Sequence, residues 1–250
     1  MKKFVKNCRK KKAKVNKMWQ NIRDLLGQDA KRRNFMNYEL MENNKVFLKG
    51  VVNSEPVFSH ESFGEGFYEL VIKVDRLSDN YDNIPVIVSE KLLSGDNFKK
   101  GNVVSVAGQF RSYNKLVDGK SRLILNVFVR NIIDMDDSMN PNVVELSGFI
   151  CKEPIFRMTP FGREICDILL AVNRAYNKSD YLPCIVWGRN ARFVKDIAVG
   201  QKVQVVGRIQ SREYQKKLAD DSIETRVAYE ISVNKISLAE ENAKPIAVER

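Results

Sequence analysis

The sequence predicts an all-β protein of two tandem five-stranded barrels behind a basic N-terminal extension, and three observations carry that prediction. The first is an internal repeat. Lys49–Gly50–Val51–Val52 and Glu55–Pro56–Val57–Phe58 recur 98 residues later as Ser147–Gly148–Phe149–Ile150 and Glu153–Pro154–Ile155–Phe156. Phe63–Gly64, Arg76 and Ile84–Pro85 keep that register against Phe161–Gly162, Arg174 and Leu182–Pro183. After one extra residue, Gly101, Gly108 and Ser112 fall on Gly200, Gly207 and Ser211. The second observation is an alternation of period two along Lys202–Tyr214, and the third is the enrichment of Val, Ile and Tyr in short runs punctuated by glycine. The chain then divides into an extension at 1–44, a first copy at 45–137, a linker at 138–141, a second copy at 142–238 and a short tail at 239–250.

In the second copy the strands are predicted at Val143–Ile150, Glu164–Arg174, Leu182–Gly188, Lys202–Tyr214 and Ile223–Ser237, with a helix at Ala191–Ile197 after the third. Five strands in roughly a hundred residues, with one long strand before the last, fit a small closed barrel of the OB type. Gly148 and Gly207 would relieve crowding where such strands bend.

The long strand sorts its side chains. Val203, Val205, Gly207, Ile209 and Ser211 share one parity and suit a core, while Lys202, Gln204, Val206, Arg208, Gln210, Arg212 and Tyr214 share the other. Tyr181, Ile185 and Trp187 also share a parity, which would bring two rings to one sheet surface. Rings interleaved with arginines suit unpaired bases, because every base has a π-face and every link a phosphate.

Gly148, Glu153–Pro154, Ala171–Arg174, Val186–Trp187–Gly188, Gly200–Val203 and Val206–Tyr214 together resemble the bacterial single-stranded DNA-binding protein family. The resemblance implies an OB fold that binds single-stranded DNA without cofactor or catalysis, in assemblies where four OB folds wrap the strand. A chain with two such folds would reach four as a homodimer. Position by position, it implies base stacking on Tyr181, Trp187 and Tyr214, a further contact from Tyr176, and backbone contacts from Arg174, Arg189, Arg208 and Arg212. The recurrence of Arg76 and Arg174 in both copies leaves two readings open, a shared structural ion pair or a shared phosphate contact. The first copy departs from the pattern, with Ser78, Asn83, Ser89 and Lys115 at the four ring positions, and is expected to be a scaffold or dimerisation domain. Phe67, Tyr68, Tyr81, Phe110 and Tyr113 offer rings in other registers, several of them read as core residues instead. The family's acidic C-terminal tip, which recruits replication and repair proteins, has no counterpart in AEENAKPIAVER.

Charge position matters more than its total of +11. Residues 1–44 carry +9, residues 45–140 carry −1 and residues 141–238 carry +4. The extension reads either as a phosphate-holding basic arm with a short helix near Trp19–Leu26, as a disordered segment, or as untranslated leader: Arg32–Arg33, if encoded AGG AGG, would spell a ribosome-binding sequence before a start at Met36 or Met41. Cys8, Cys151, Cys166 and Cys184 form no CxxC pair and predict neither zinc site nor disulfide framework. No membrane span or secretory leader is predicted, and a cytoplasmic, nucleoid-associated protein is expected. His60 lacks a nucleophile or metal cluster and reads as a surface residue, while Asp134, Asp136 and Asp137 read as a solvated linker run; catalysis is not expected. Two functions follow: sequence-tolerant binding of single-stranded DNA in replication, recombination or repair, or an accessory, primosome-like module acting through protein contacts. RNA stays open as a ligand, because stacking does not test for a 2′-hydroxyl.

Overall fold

The long strands alternate between a barrel core and an outer face, and each copy closes on itself because its strands bend where glycine permits. The computed structural model describes residues 43–239 apart from 77, 118, 136–140 and 218–220. Almost all of the extension, including the helix expected near Trp19–Leu26, most of the linker and the tail beyond 239 lie outside the described residues. The first copy contains β1 (Asn44–Val52), β2 (Val57–Ser62), β3 (Glu65–Asp75), β4 (Tyr81–Ser89), α1 (Glu90–Leu93), β5 (Val103–Val117) and β6 (Lys120–Ile132). The second repeats this as β7 (Asn142–Ile150), β8 (Ile155–Met158), β9 (Glu164–Arg174), β10 (Lys178–Trp187), α2 (Arg189–Val194), β11 (Lys202–Lys217) and β12 (Ile223–Leu238).

The strand order is β2-β3-β4-β6-β5-β1-β7-β11-β12-β10-β9-β8, a palindrome of the repeat. Each barrel closes through an extra pairing, β1 with β3 and β7 with β9, and each has one parallel pair, β4 with β6 and β10 with β12. That connectivity is an OB barrel. Its interior is mainly aliphatic: Val46, Leu48, Leu70, Ile72, Ile84 and Val106 fill the first, where the Phe110 ring is also buried and so is no replacement on the outer face, and Val144, Ile150, Leu170, Val172, Leu182 and Ile209 fill the second.

The elements differ from the sequence reading in several places, β11 among them, which runs on to Lys217 rather than ending at Tyr214. Each copy has a sixth, short strand, β2 or β8, paired onto β3 or β9. All four residues of β8 are exposed, so no alternation marks it in the sequence. β10 begins at Lys178 rather than Leu182, which puts Tyr181 inside the strand. The second helix spans Arg189–Val194 rather than Ala191–Ile197; its buried side is Ala191 and Val194, and Ile197 is buried in the turn beyond.

Gly207 sits at a register shift between Val206 and Gly207, where β11 bends across β12. A Cβ there would lie 2.4 Å from the Ser232 carbonyl oxygen, and the equivalent Gly108 would meet the Phe128 carbonyl at 2.3 Å. Gly207→Ala is therefore expected to destabilise the chain by about 1–3 kcal/mol, the usual range for overpacking. Urea unfolding followed by far-UV circular dichroism checks this, and an unchanged midpoint would show that the bend relaxes freely.

The two barrels meet through β1 and β7, paired antiparallel with Val46 opposite Val144. These are equivalent positions of the repeat, so the junction has the self-complementary form of a twofold interface within one chain. Asn44 supports it from one side, donating to the Phe110 carbonyl at 2.7 Å and accepting from the Phe110 N–H at 2.9 Å. Asn142 does the same to Ile209 at 2.7 and 2.9 Å.

Candidate nucleic-acid interface

β11 keeps the predicted sorting. Val203, Val205, Gly207 and Ile209 are buried, whereas Arg212 and Tyr214 are exposed and Arg208 and Gln210 half-buried. Tyr181 and Trp187 lie on the outer parity of β10, six residues apart, roughly 20 Å at about 3.3 Å per strand residue. β12 runs between β10 and β11, with Ile185 level with Ser232 and Ser232 level with Arg208. The outer face is therefore one surface, carrying Tyr181 and Trp187 on one side and Arg208, Arg212 and Tyr214 on the other. Ile185, 6% exposed, forms part of its floor. Trp187 is half-buried and its indole N–H donates to the Ser232 hydroxyl at 3.3 Å, which fixes the ring plane. Tyr181 is 46% exposed, Tyr214 37% and Tyr176 94%. Tyr176 occupies the β9–β10 turn at φ 62°. The Arg212 guanidinium lies 5.9 Å from the Tyr214 ring centroid.

The four predicted arginines separate into two kinds. Arg189, at the start of α2, and Arg212 are exposed and make no ion pair with a described carboxylate. Arg174 and Arg208 face buried carboxylates that the sequence reading missed. Asp180 is wholly buried, with its Oδ2 3.4 Å from the Arg174 Nε. Its counterpart Asp82, 1% exposed, accepts from Arg76 Nε at 2.9 Å and Nη2 at 2.6 Å and from Arg208 Nη1 at 3.2 Å. The ion-pair reading of Arg76 and Arg174 thus has a carboxylate in each copy. The signal was present in the sequence: Asp82 and Asp180 recur at the same offset, in strand positions whose parity is otherwise aliphatic.

These carboxylates also join the barrels. Asp82 Oδ1 accepts from the Ser211 N–H at 2.7 Å and hydroxyl at 3.1 Å, and Arg76 donates to the Ser211 carbonyl at 3.0 Å. Reciprocally, Asp180 Oδ1 accepts from the Ser112 N–H at 2.7 Å, and the Tyr181 N–H donates to the Ser112 hydroxyl at 2.7 Å. The second contact matters for the face, because it fixes the backbone that carries Tyr181 to the first barrel. Burial raises both acids. At Asp82 the hydrogen bonds from Arg76 and Ser211 outweigh it and the carboxyl titrates below its ordinary value; at Asp180 burial outweighs Ser112, Arg174 and Arg111, and the carboxyl titrates above it.

Among the described residues no group of three or more His, Cys, Asp or Glu could hold a metal ion. Burial pushes the Cys166 thiol up to about 11, so it is protonated at neutral pH. No helix among the described residues is long and apolar enough to cross a membrane.

Residues 141–239 match the model of the single-strand binding protein family. Single-stranded DNA-binding protein 1 of Staphylococcus aureus (strain COL) is 35% identical over 83 residues, covering 30% of this chain and 50% of that protein. Single-stranded DNA-binding protein A of Bacillus subtilis (strain 168) is 32% identical over 96 residues, 36% of this chain and 56% of that protein. The chain spans about half the length of these curated relatives. The wild-type single-stranded DNA-binding protein from Thermus aquaticus superposes with a TM-score of 0.62 at 20% identity, covering 80% of this chain and 95% of that one, a likeness of fold across both barrels. Residues 141–239, the second barrel, are therefore similar to the single-strand binding protein family, and the two barrels together have the fold of the Thermus aquaticus protein.

Proposed function

We propose that the chain binds single-stranded DNA with little sequence preference, without catalysis, and that the outer face of β10, β11 and β12 is the platform. The observation that carries this reading is one continuous surface of the family-matched barrel, bearing Tyr181, Trp187 and Tyr214 beside the exposed Arg189 and Arg212. Stacking accepts any base, and guanidinium groups follow the phosphates. Arg208 serves it by anchoring the barrels, within hydrogen-bond reach of Asp82 in the first, so its share of phosphate binding is the smaller, while Arg174 faces Asp180 within its own barrel. Tyr176, almost fully exposed in its turn, extends the platform past Tyr181. Roles in replication, recombination or repair follow from such binding, as does a place in the cytoplasm, on the nucleoid.

The intrachain β1–β7 junction gives one chain the layout of a dimer of barrels, and a homodimer with four OB folds is the assembly we propose. Analytical ultracentrifugation is expected to give twice the chain mass of 28.7 kDa; a monomer at micromolar concentration would remove that part.

Fluorescence titration with oligo(dT) at two salt concentrations tests the binding itself. A Trp19→Phe background leaves Trp187 as the reporter, since the chain has two tryptophans. Quenching with salt-dependent affinity is expected. A parallel oligo(U) titration separates DNA from RNA preference. Absence of binding to either would favour the protein-interaction reading, for which the polar residues Ser78, Asn83, Ser89 and Lys115 at the first barrel's ring positions are the supporting observation.

A further inference from the structure

The first barrel has lost the rings at the family's positions, yet its outer face carries rings and guanidinium groups in other places. Trp187 in β10 and Ser232 in β12 correspond to Ser89 in β4 and Phe128 in β6, so the aromatic side chain has crossed from one strand to the other. Phe128 lies 5.5 Å from Phe67, and His60 stacks on Phe67 at 5.0 Å with 12° between the planes. His60 is exposed, as read from the sequence; it belongs to β2, and one face of its ring covers Phe67.

Charge is redistributed in the same sense. The cross-strand pair Gln210–Glu230 of the second barrel, joined at 2.6 Å, is Arg111–Asn126 in the first. A cation has replaced an amide and an amide has replaced a carboxylate. Arg111 and Arg130 lie 4.0 and 4.7 Å from the Phe128 centroid and both reach Gln109 Oε1, at 2.9 and 3.4 Å. The Arg111 Nε is buried without a hydrogen-bond partner. Burial, together with the neighbouring Arg130 and Arg174, pulls the Arg111 guanidinium down to about 10, still protonated at neutral pH.

The junction between the barrels is correspondingly unequal. Arg208 reaches Asp82, whereas no first-barrel side chain closes on Asp180 in that way: Arg174 Nε and Asp180 Oδ2 are buried, 3.4 Å apart and without hydrogen bonds. On this open side lies a groove of about 480 Å³, lined among others by His60, Arg111, Tyr113, Lys115, Phe128 and Arg174. Four of those six are basic or protonatable, and the Arg111 Nε, buried without an acceptor, calls for an anion.

We propose that this groove is a second strand-binding site, holding a nucleotide of the bound single strand with its phosphate on Arg111 and Arg174 and its base on the open face of His60. Tyr113, 44% exposed, also lines the groove and offers a second ring. The second barrel contributes Arg174, so the site requires both copies. It makes the first barrel a binding domain rather than only a scaffold, and it rests on the single-strand reading of the second barrel.

The test uses the full chain in the Trp19→Phe background, with Arg111→Gln and, separately, the exposed His60→Ala. Each variant is titrated with a short oligo(dT) that one barrel accommodates, with an oligo(dT) long enough for both barrels, and with poly(dT) to count the nucleotides occluded per chain. Loss of one stacked base or its phosphate contact, about 1–3 kcal/mol, predicts roughly 5- to 150-fold weaker binding of the long oligonucleotide. The occluded length is expected to shorten, and the short oligonucleotide to bind as before. Should Arg111→Gln fail to fold, as judged by circular dichroism, His60→Ala decides. Unchanged long-oligonucleotide affinity and occluded length would overturn the site, and so would equal losses on short and long strands, which would trace the effect to the second barrel. If the unmodified chain binds neither oligonucleotide, the function proposed for the second barrel falls instead.

Discussion

Trp187→Ala combined with Tyr214→Ala is expected to weaken oligo(dT) binding by roughly 30-fold to 10⁴-fold, because each stacked base is worth about 1–3 kcal/mol. The two rings lie on strands separated by β12, far enough apart to hold different bases, so their effects should add to within a few tenths of a kcal/mol. The salt dependence should stay as it was, since a ring neutralises no phosphate. Arg212→Gln should do the reverse: a modest loss for every sequence and a salt slope shallower by about 0.7, the value for one phosphate contact on a single strand. Trp187→Phe separates stacking from support, as it keeps a ring but gives up the 3.3 Å bond to Ser232. Anisotropy titrations with labelled oligo(dT), with circular dichroism to verify the fold, measure all three variants. A loss below threefold in the double variant would reject the platform.

How much of this was legible in the sequence depends on what each feature depends on. Periodicity and the repeat reveal whatever rests on a core face: the parity of Lys202–Tyr214, the long strands and the glycines of the bends were all readable. β8 was not, because a strand exposed along its whole length has no apolar rhythm. Arg174 and Arg208 were visible as basic residues of the outer face, and the repeat marked Asp82 and Asp180 as a recurring pair, but not which arginines they claim. Asp82 lies in the other copy from Arg208, and sequence spacing says nothing about a contact 126 residues distant. The same limit hid the first barrel's groove. Aligned positions revealed which rings were missing, while Phe128, Phe67 and His60 come from three strands whose adjacency only the closed barrel supplies.

Asp82→Asn is expected to destabilise the chain by about 3–5 kcal/mol at pH 7, the cost of removing one partner from a buried ion pair. The substitution would leave Arg76 and Arg208 facing each other across a neutral amide, with the Ser211 contact weakened as well. Asp180→Asn is expected to cost about 1 kcal/mol or less. An amide oxygen can still accept from the Ser112 N–H, and the charge it removes is buried with Arg174 no nearer than 3.4 Å. The pH dependences run in opposite directions. The folded Asp82 titrates below its unfolded value, near 3.9, so its contribution is full above that value and is lost as the pH falls through the lower folded one. The folded Asp180 titrates above its unfolded value, so this group makes the chain less stable as the pH rises through the interval between the two. Urea unfolding at pH 7 and across pH 3–6 should therefore show the Asp82→Asn deficit shrinking with acid, while the Asp180→Asn variant gains on the unmodified chain as the pH rises. Equal costs at pH 7 would contradict the unequal junction, and with it the open, electropositive side on which the first barrel's groove depends.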